Sequence, residues 1–384
     1  MNINRITNYS LAILLLTIFM SCSNGQKTVP QQEGLKDYFK GRFLIGTALN
    51  DDQIMGKDSL ALPFVARHFN SITAENAMKW ERIHPKPGEY NFTIPDSMIA
   101  YGQRNNMFII GHCLLWHSQT PKWVFEDSLG KPLTREALLQ RLKDHIFTVV
   151  GRYKGKVGGW DVVNEAIGDD GLMRKSKWLE IIGEDFVQKA FEYAREADPD
   201  AELYYNDYNI ELKGKREGVI KLIKDLQAKG IKVDAVGIQG HWHLNSPDLN
   251  EIEESFREYA ALGLKIMITE FEVNVIPEPT GIVGAEISQR ADYQEKMNPY
   301  PVSFPDSMQQ VLAKRYAALF DLFLKYQDTV SRVTFWGVND GYSWKNNWPI
   351  PGRKNYPLLF DRNYQPKPAY QAVIETVKKA PVKQ

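Results

Sequence analysis

Cysteine is almost missing from this chain: 384 residues contain two, Cys22 and Cys113. If Cys22 belongs to a leader, Cys113 is left alone and no internal disulfide can brace the fold. Net charge is missing too. Lys+Arg and Asp+Glu both number 47, so there is no basic field to hold nucleic acid or an anionic membrane surface. No Gly-rich phosphate turn follows any early apolar run, which removes the commonest use of an open doubly wound sheet. The apolar run Leu11 to Met20 is too short and too N-terminal to span a bilayer.

What remains is an ordinary globular composition, 43% hydrophobic and 24% charged, long enough for one large barrel or two domains. Nine Trp, 18 Tyr and 18 Phe with no net charge suit a neutral ligand with apolar C–H faces, such as a sugar. Arg5 ahead of the run Leu11 to Met20 makes residues 1–22 a signal peptide. Cys22 directly after Ser21 resembles a bacterial lipoprotein cleavage site, although Phe19 and Met20 are bulkier than usual there. The expectation is an exported chain, periplasmic or at the cell surface and anchored through a lipidated Cys22, otherwise secreted. Residues 23–34, polar with Gly and Pro, read as a linker to one domain over 35–384.

Within that domain short apolar runs alternate with amphipathic stretches, the pattern of parallel strands with helical crossovers. Eight strands are expected, at Phe43 to Leu49, Asn70 to Thr73, Met107 to Cys113, Val157 to Val163, Ala201 to Tyr205, Ala235 to Gln239, Lys265 to Thr269 and Arg332 to Trp336. Helical periodicity marks Thr134 to Arg152, Trp178 to Ala197, Gly214 to Lys229, Leu249 to Leu262, Met308 to Tyr326 and Lys367 to Lys378. Eight such units fit a closed (β/α)₈ TIM barrel of α/β class with long loops at its C-terminal face. The longest irregular stretch, Val273 to Pro305, follows the seventh strand and is expected at that face.

In a barrel, residues placed just after each strand share one mouth. Those residues are Glu75, Asn76 and Lys79; His112, Trp116, His117 and Gln119; Asn164 and Glu165; Asn206, Asp207, Tyr208 and Asn209; Gln239, His241 and Trp242; Glu270 and Glu272; and Trp336, Asn339, Asp340 and Trp344. A single Glu at a strand end is ordinarily a solvated charge; convergence of so many polar groups beside aromatics is not explained by packing. Glu165 and Glu270 end the fourth and seventh strands, on opposite sides of the mouth. Two carboxyl groups roughly 5 Å apart can divide the cleavage of a glycosidic bond, one protonating the leaving oxygen and the other attacking the anomeric carbon. Asn164 can donate to a sugar 2-hydroxyl, His241 and Gln239 can hold Glu270, and the tryptophans offer stacking faces.

The stretches TAENAMKWE (73–81), GHCLLWHSQTPKW (111–123), WDVVNEA (160–166), NDYN (206–209), GIQGHW (237–242), ITEFEV (268–273) and TFWGVNDGYSW (334–344) resemble glycoside hydrolase family 10, the β-1,4-xylanases. Seven motifs in order, from about Gly46 to the last helix, make the resemblance specific. It implies an endo-acting, retaining hydrolase of xylan or xylo-oligosaccharide, acting as a monomer without metal or organic cofactor. Carried over by position, Glu165 is implied as acid/base and Glu270 as nucleophile. Glu75, Asn76, Lys79, His112, Trp116 and Gln119 fall on glycone-binding positions, Asn164, Gln239 and His241 surround the reacting sugar, Trp336 and Trp344 wall the glycone side, and Tyr208 and Asn209 fall on the aglycone side. One departure stands out: Glu270, Phe271 and Glu272 replace the family's usual Glu-Leu-Asp, whose Asp orients the histidine matched by His241. The competing readings are a surface lipoprotein that captures oligosaccharide without cutting it, which has no need of two carboxylates, and a hydrolase of the same fold acting on another β-1,4-glycan or on short oligosaccharides.

Overall fold

A parallel strand covered on both faces has to be apolar along its length, and runs of that kind form the centre of the structure. The computed structural model describes residues 33–279 and 287–381. The leader 1–22 with its Cys22, and linker residues 23–32, lie outside the described residues.

The strands are β1 (Leu44–Leu49), β2 (Ser71–Ala74), β3 (Phe108–Trp116), β4 (Gly159–Asn164), β5 (Glu202–Asp207), β6 (Ala235–Ile238), β7 (His241–His243), β8 (Lys265–Asn274) and β9 (Val330–Phe335). All but β7 pair in sequence and in parallel, β6 with β8, and β9 returns to β1 through Leu44 opposite Arg332. The result is a closed eight-stranded (β/α)₈ barrel. Helices cross between the strands and bury one stripe: Arg135–Tyr153, capped by the Thr134 side chain, covers the barrel with Leu138, Leu142, Ile146 and Val149. The ladders slip between His112 and Leu115 and between Asp161 and Val163, so bulges re-aim the side chains just below the mouth.

Three expectations need correction. The seventh expected strand, β8, does not stop at Thr269 but runs on to Asn274, because the three-residue β7 pairs with its extension, His241 opposite Glu272. Glu270 and Glu272 are therefore strand residues, and the irregular stretch begins after Asn274; among its described residues a 3₁₀ turn stands at Glu295–Met297. The helix expected over Trp178 to Ala197 is two, Lys177–Ile182 and Phe186–Ala197, divided at Gly183, whose φ of 95° favours glycine and ends the first helix.

Cys113 is a free thiol, 3% exposed, and burial pushes its pKa well above the usual value. Trp160, 1% exposed, packs against the backbone of Gly111, its neighbour across the β3–β4 ladder. A β-carbon on Gly111 would stand 2.0 Å from the indole ring. Gly111→Ala should therefore overpack this contact and lower the unfolding free energy by about 1–3 kcal/mol, read from urea melts. A variant melting with the parent would show that the ring moves aside freely.

Candidate active site

Glu165 is the first residue past β4, and its φ of 59° places a non-glycine residue in the left-handed region, a conformation that persists only when its surroundings fix it. They do so from both sides. Its N–H donates to the Asn206 carbonyl at 2.9 Å and its own carbonyl accepts from Arg174 Nε at 2.9 Å. The carboxylate, in a residue 3% exposed, accepts from Gln239 Nε2 at 2.9 Å, Asn164 Nδ2 at 3.1 Å and Trp116 Nε1 at 2.9 Å.

Glu270 is held from the strands on the same side of the barrel. Its N–H donates to the Gln239 carbonyl at 2.7 Å, and its carboxylate accepts from Asn206 Nδ2 at 2.9 Å and His241 Nε2 at 3.2 Å. Asn206 Nδ2 also reaches Asn164 Oδ1 at 2.8 Å, so a continuous chain of hydrogen bonds runs from Glu165 through Asn164 and Asn206 to Glu270. Thr269 Oγ1 fixes the other end of that amide at 2.6 Å. Gly237 leaves it room, since a β-carbon there would come within 2.3 Å of Asn206 Oδ1.

His241 bridges two carboxylates, with Nδ1 at 2.9 Å from Glu272 and Nε2 at 3.2 Å from Glu270. Burial works against its imidazolium, but the hydrogen bonds to Glu270 and Glu272 and their charges push its pKa up to about 9. Burial also works to raise the Glu270 carboxyl; the bond from His241, with the charges of His112, His241 and Lys79, outweighs it and holds the group below its usual value. The extra methylene at Glu272 lets one oxygen accept from both His241 and Trp344 Nε1, the latter at 2.6 Å.

Both carboxylates line a cavity of about 460 Å³. Its walls include every expected binding residue except Tyr208 and Asn209: Glu75, Asn76, Lys79, His112, Trp116, Gln119, Asn164, Gln239, His241, Trp336 and Trp344. Lys79 donates to Asn76 Oδ1 at 3.1 Å and Gln119 Oε1 at 3.0 Å while standing 4.9 Å from the Trp116 ring centre. Burial raises the Glu75 carboxyl despite the charge of Lys79. Tyr208 stands apart from this cavity: it is 3% exposed, with Lys215 Nζ 3.5 Å from its ring centre and its hydroxyl accepting from Arg174 Nη2 at 2.9 Å. Its contact with the site runs through Arg174 to the Glu165 carbonyl.

Sequence reasoning does not single out several participants. Asp161 accepts from His112 Nδ1 at 2.9 Å; the pair is opposite in the β3–β4 register. Trp348 stacks on Trp344 with ring centres 4.7 Å apart, and the long segment after β8 contributes Ile287 and Arg290 to the cavity wall. Asn206 is expected at the mouth, but its place in the sequence gives it no role.

A TIM barrel whose mouth joins two carboxylates by hydrogen bonds and walls them with tryptophan has the constitution of a glycoside hydrolase. Sequence comparison agrees and is more particular. The family model for Glycosyl hydrolase family 10 matches residues 34–376. The chain is 45% identical over 371 residues to Endo-1,4-beta-xylanase A of Xylanibacter ruminicola, covering 97% of this chain and 99% of that one. It is 40% identical over 367 residues to the Beta-1,4-xylanase of Dictyoglomus thermophilum, covering 95% and 97%. Among solved structures, a GH10 endoxylanase retrieved from sugarcane soil metagenome superposes with a TM-score of 0.87 at 44% identity, over 89% of this chain and 99% of that one. GH10 from Paenibacillus barcinonensis superposes with a TM-score of 0.82 at 40% identity, over 92% and 99%. The chain belongs to glycosyl hydrolase family 10.

The His241 bridge has a pH signature. Its folded pKa of about 9 lies above the free value of 6.5, so the bridge stabilises the fold fully below pH 6.5 and that contribution is lost as pH rises through about 9. NMR titration of the His241 ring should give a midpoint near 9 in the parent. In Glu272→Asp, whose shorter chain cannot span both His241 and Trp344, the midpoint should fall and the pH-rate profile shift with it. Parent and variant curves that overlay would remove the link between Glu272 and the basicity of Glu270.

Proposed function

We propose that the protein hydrolyses internal β-1,4-xylosidic linkages of xylan with retention of anomeric configuration, by double displacement with Glu270 as nucleophile and Glu165 as acid/base. The observation that carries this reading is the hydrogen-bonded chain Glu165–Asn164–Asn206–Glu270, which joins two carboxylates lining one cavity of a family 10 barrel. Relatives named as endo-1,4-beta-xylanases over nearly the whole chain support the substrate.

In the first step the ionised Glu270 attacks the anomeric carbon as the glycosidic C–O bond breaks, and the Glu165 carboxyl gives its proton to the departing oxygen. In the second, Glu165, now a carboxylate, takes a proton from water, which attacks the same carbon and returns Glu270 as the leaving carboxylate. His241 keeps Glu270 ionised before attack and again stabilises it on departure. Gln239, Asn164 and Trp116 fix the direction of the Glu165 carboxyl. Trp336 and Trp344 wall the cavity with faces that stack on pyranose C–H surfaces.

Glu270→Ala and Glu165→Ala should each lower turnover of xylan by several orders of magnitude. Glu165→Ala should keep much of its glycosylation rate on an aryl xylobioside with a good leaving group, which needs little protonation, while Glu270→Ala should not. Equal collapse of both variants on the activated substrate would overturn the assigned roles.

We propose further that the chain is exported and carries a lipid on Cys22. The support is the sequence Arg5, the apolar run Leu11 to Met20 and the Ser21–Cys22 junction. Expressed in a bacterial host fed labelled palmitate, the parent should take up label and Cys22→Ala should not; an unlabelled parent would refute the anchor.

A further inference from the structure

The left-handed conformation of Glu165 ends the β4 ladder. Its own N–H still bonds across to β5, but the next two peptides turn away from that strand's backbone and need another acceptor. Both find the same one: Ala166 N–H and Ile167 N–H each donate to the Tyr205 hydroxyl oxygen at 3.1 Å. Successive N–H groups converging on one point form a concavity that ordinarily receives an anion. Here a phenol fills it.

The phenol is supported from behind. Tyr205 is fully buried, and its hydroxyl donates to Asp207 Oδ2 at 2.6 Å. One proton and two lone pairs are all that a hydroxyl has to offer, and all three are used. Burial and the charge of Asp207 push the phenol well above its usual pKa, so it keeps the proton that makes this bond. Asp207 is fully buried as well, and its other oxygen accepts from Lys215 Nζ at 2.8 Å and the Tyr208 N–H at 2.9 Å. A line of contacts therefore runs from Lys215, near the start of the helix Lys213–Ala228, through Asp207 and Tyr205 to the two peptides that follow Glu165.

Tyr205, Asp207 and Lys215 all stand outside the walls of the catalytic cavity, so they act on the reaction through the backbone. Gln239, Asn164 and Trp116 hold the carboxylate end of the Glu165 side chain. The Tyr205 hydroxyl holds the chain at its root. A tilt of those peptides would swing the carboxyl off the line to the departing oxygen, and proton transfer is sensitive to displacements of that kind.

We infer that Tyr205 is a positioning residue for proton transfer: through the Ala166 and Ile167 N–H groups it fixes the backbone from which Glu165 presents its carboxyl, with Asp207 and Lys215 as its support. The inference rests on the reading of Glu165 as acid/base, and the test separates the two. Tyr205→Phe keeps the ring and removes only the hydroxyl. On a series of aryl xylobiosides, log kcat/KM plotted against the pKa of the leaving phenol should fall more steeply in this variant than in the parent. The two should nearly coincide for dinitrophenol, which departs without a proton, and differ roughly tenfold for the poorest leaving groups. Tyr153→Phe removes another buried hydroxyl, bonded to Asp96 at 3.0 Å on the outer helix Arg135–Tyr153, and should leave the slope at the parent value. If Tyr205→Phe does not fold, Asp207→Asn carries the test: it withdraws the charge behind the phenol and should steepen the slope by a smaller amount. An unchanged plot, a parallel fall across all leaving groups, or equal steepening in Tyr153→Phe would overturn the role of Tyr205 while leaving Glu165 as acid/base. A plot that Glu165→Ala itself does not steepen would overturn the acid/base reading, and the role of Tyr205 with it.

Discussion

A protonated imidazole wedged between two buried carboxylates is the interaction on which the active half of this barrel depends. An isolated buried charge would neutralise itself by taking or losing a proton. Here three ionisable groups, Glu270, His241 and Glu272, satisfy one another instead. The cation helps to keep the Glu270 carboxylate charged in a place where burial works to protonate it. Glu272 in turn keeps the cation oriented and extends the arrangement to Trp344, so a wall of the cavity and the charge on Glu270 hang from one oxygen atom.

The barrel supplies the geometry for this at several strands at once. Glu165 comes from just past β4, Asn206 from β5, His241 from β7 and Glu270 from β8, and the two glutamates are each fixed by a backbone bond, to the Asn206 and Gln239 carbonyls, as well as by their side chains. The Asn206 amide joins two residues that are far apart in sequence. Groups coupled in this way do not contribute independently, and the effect of removing one depends on whether the other is present.

Much of this is legible in the sequence because the fold's rule is simple: continuous apolar runs become barrel strands, and the residues just past each run point to one mouth. Glu165, Glu270 and most of the other cavity-lining residues come from that rule. Where it falls short, the reason is the absence of register. That Asp161 meets His112, or that Asn206 reaches both Asn164 and Glu270, depends on which residues stand opposite one another in neighbouring strands. The added β7 and the lengthened β8 arise from pairing between segments that each look irregular alone. The division of a helix at Gly183 is signalled by the glycine itself, but the apolar periodicity on either side masks it. Ile287 and Arg290 belong to a segment with no period of either kind, so only coordinates place them at the cavity.

Cys113 has a consequence outside catalysis. A buried thiol, with its ionisation suppressed, offers neither an exchange partner for other thiols nor a nucleophile for oxidants. Among the described residues no covalent cross-link braces the barrel, so its cohesion rests on packing and hydrogen bonding. The folded state of this domain is accordingly insensitive to redox potential: a reducing interior and an oxidising exterior present it with the same free-energy balance.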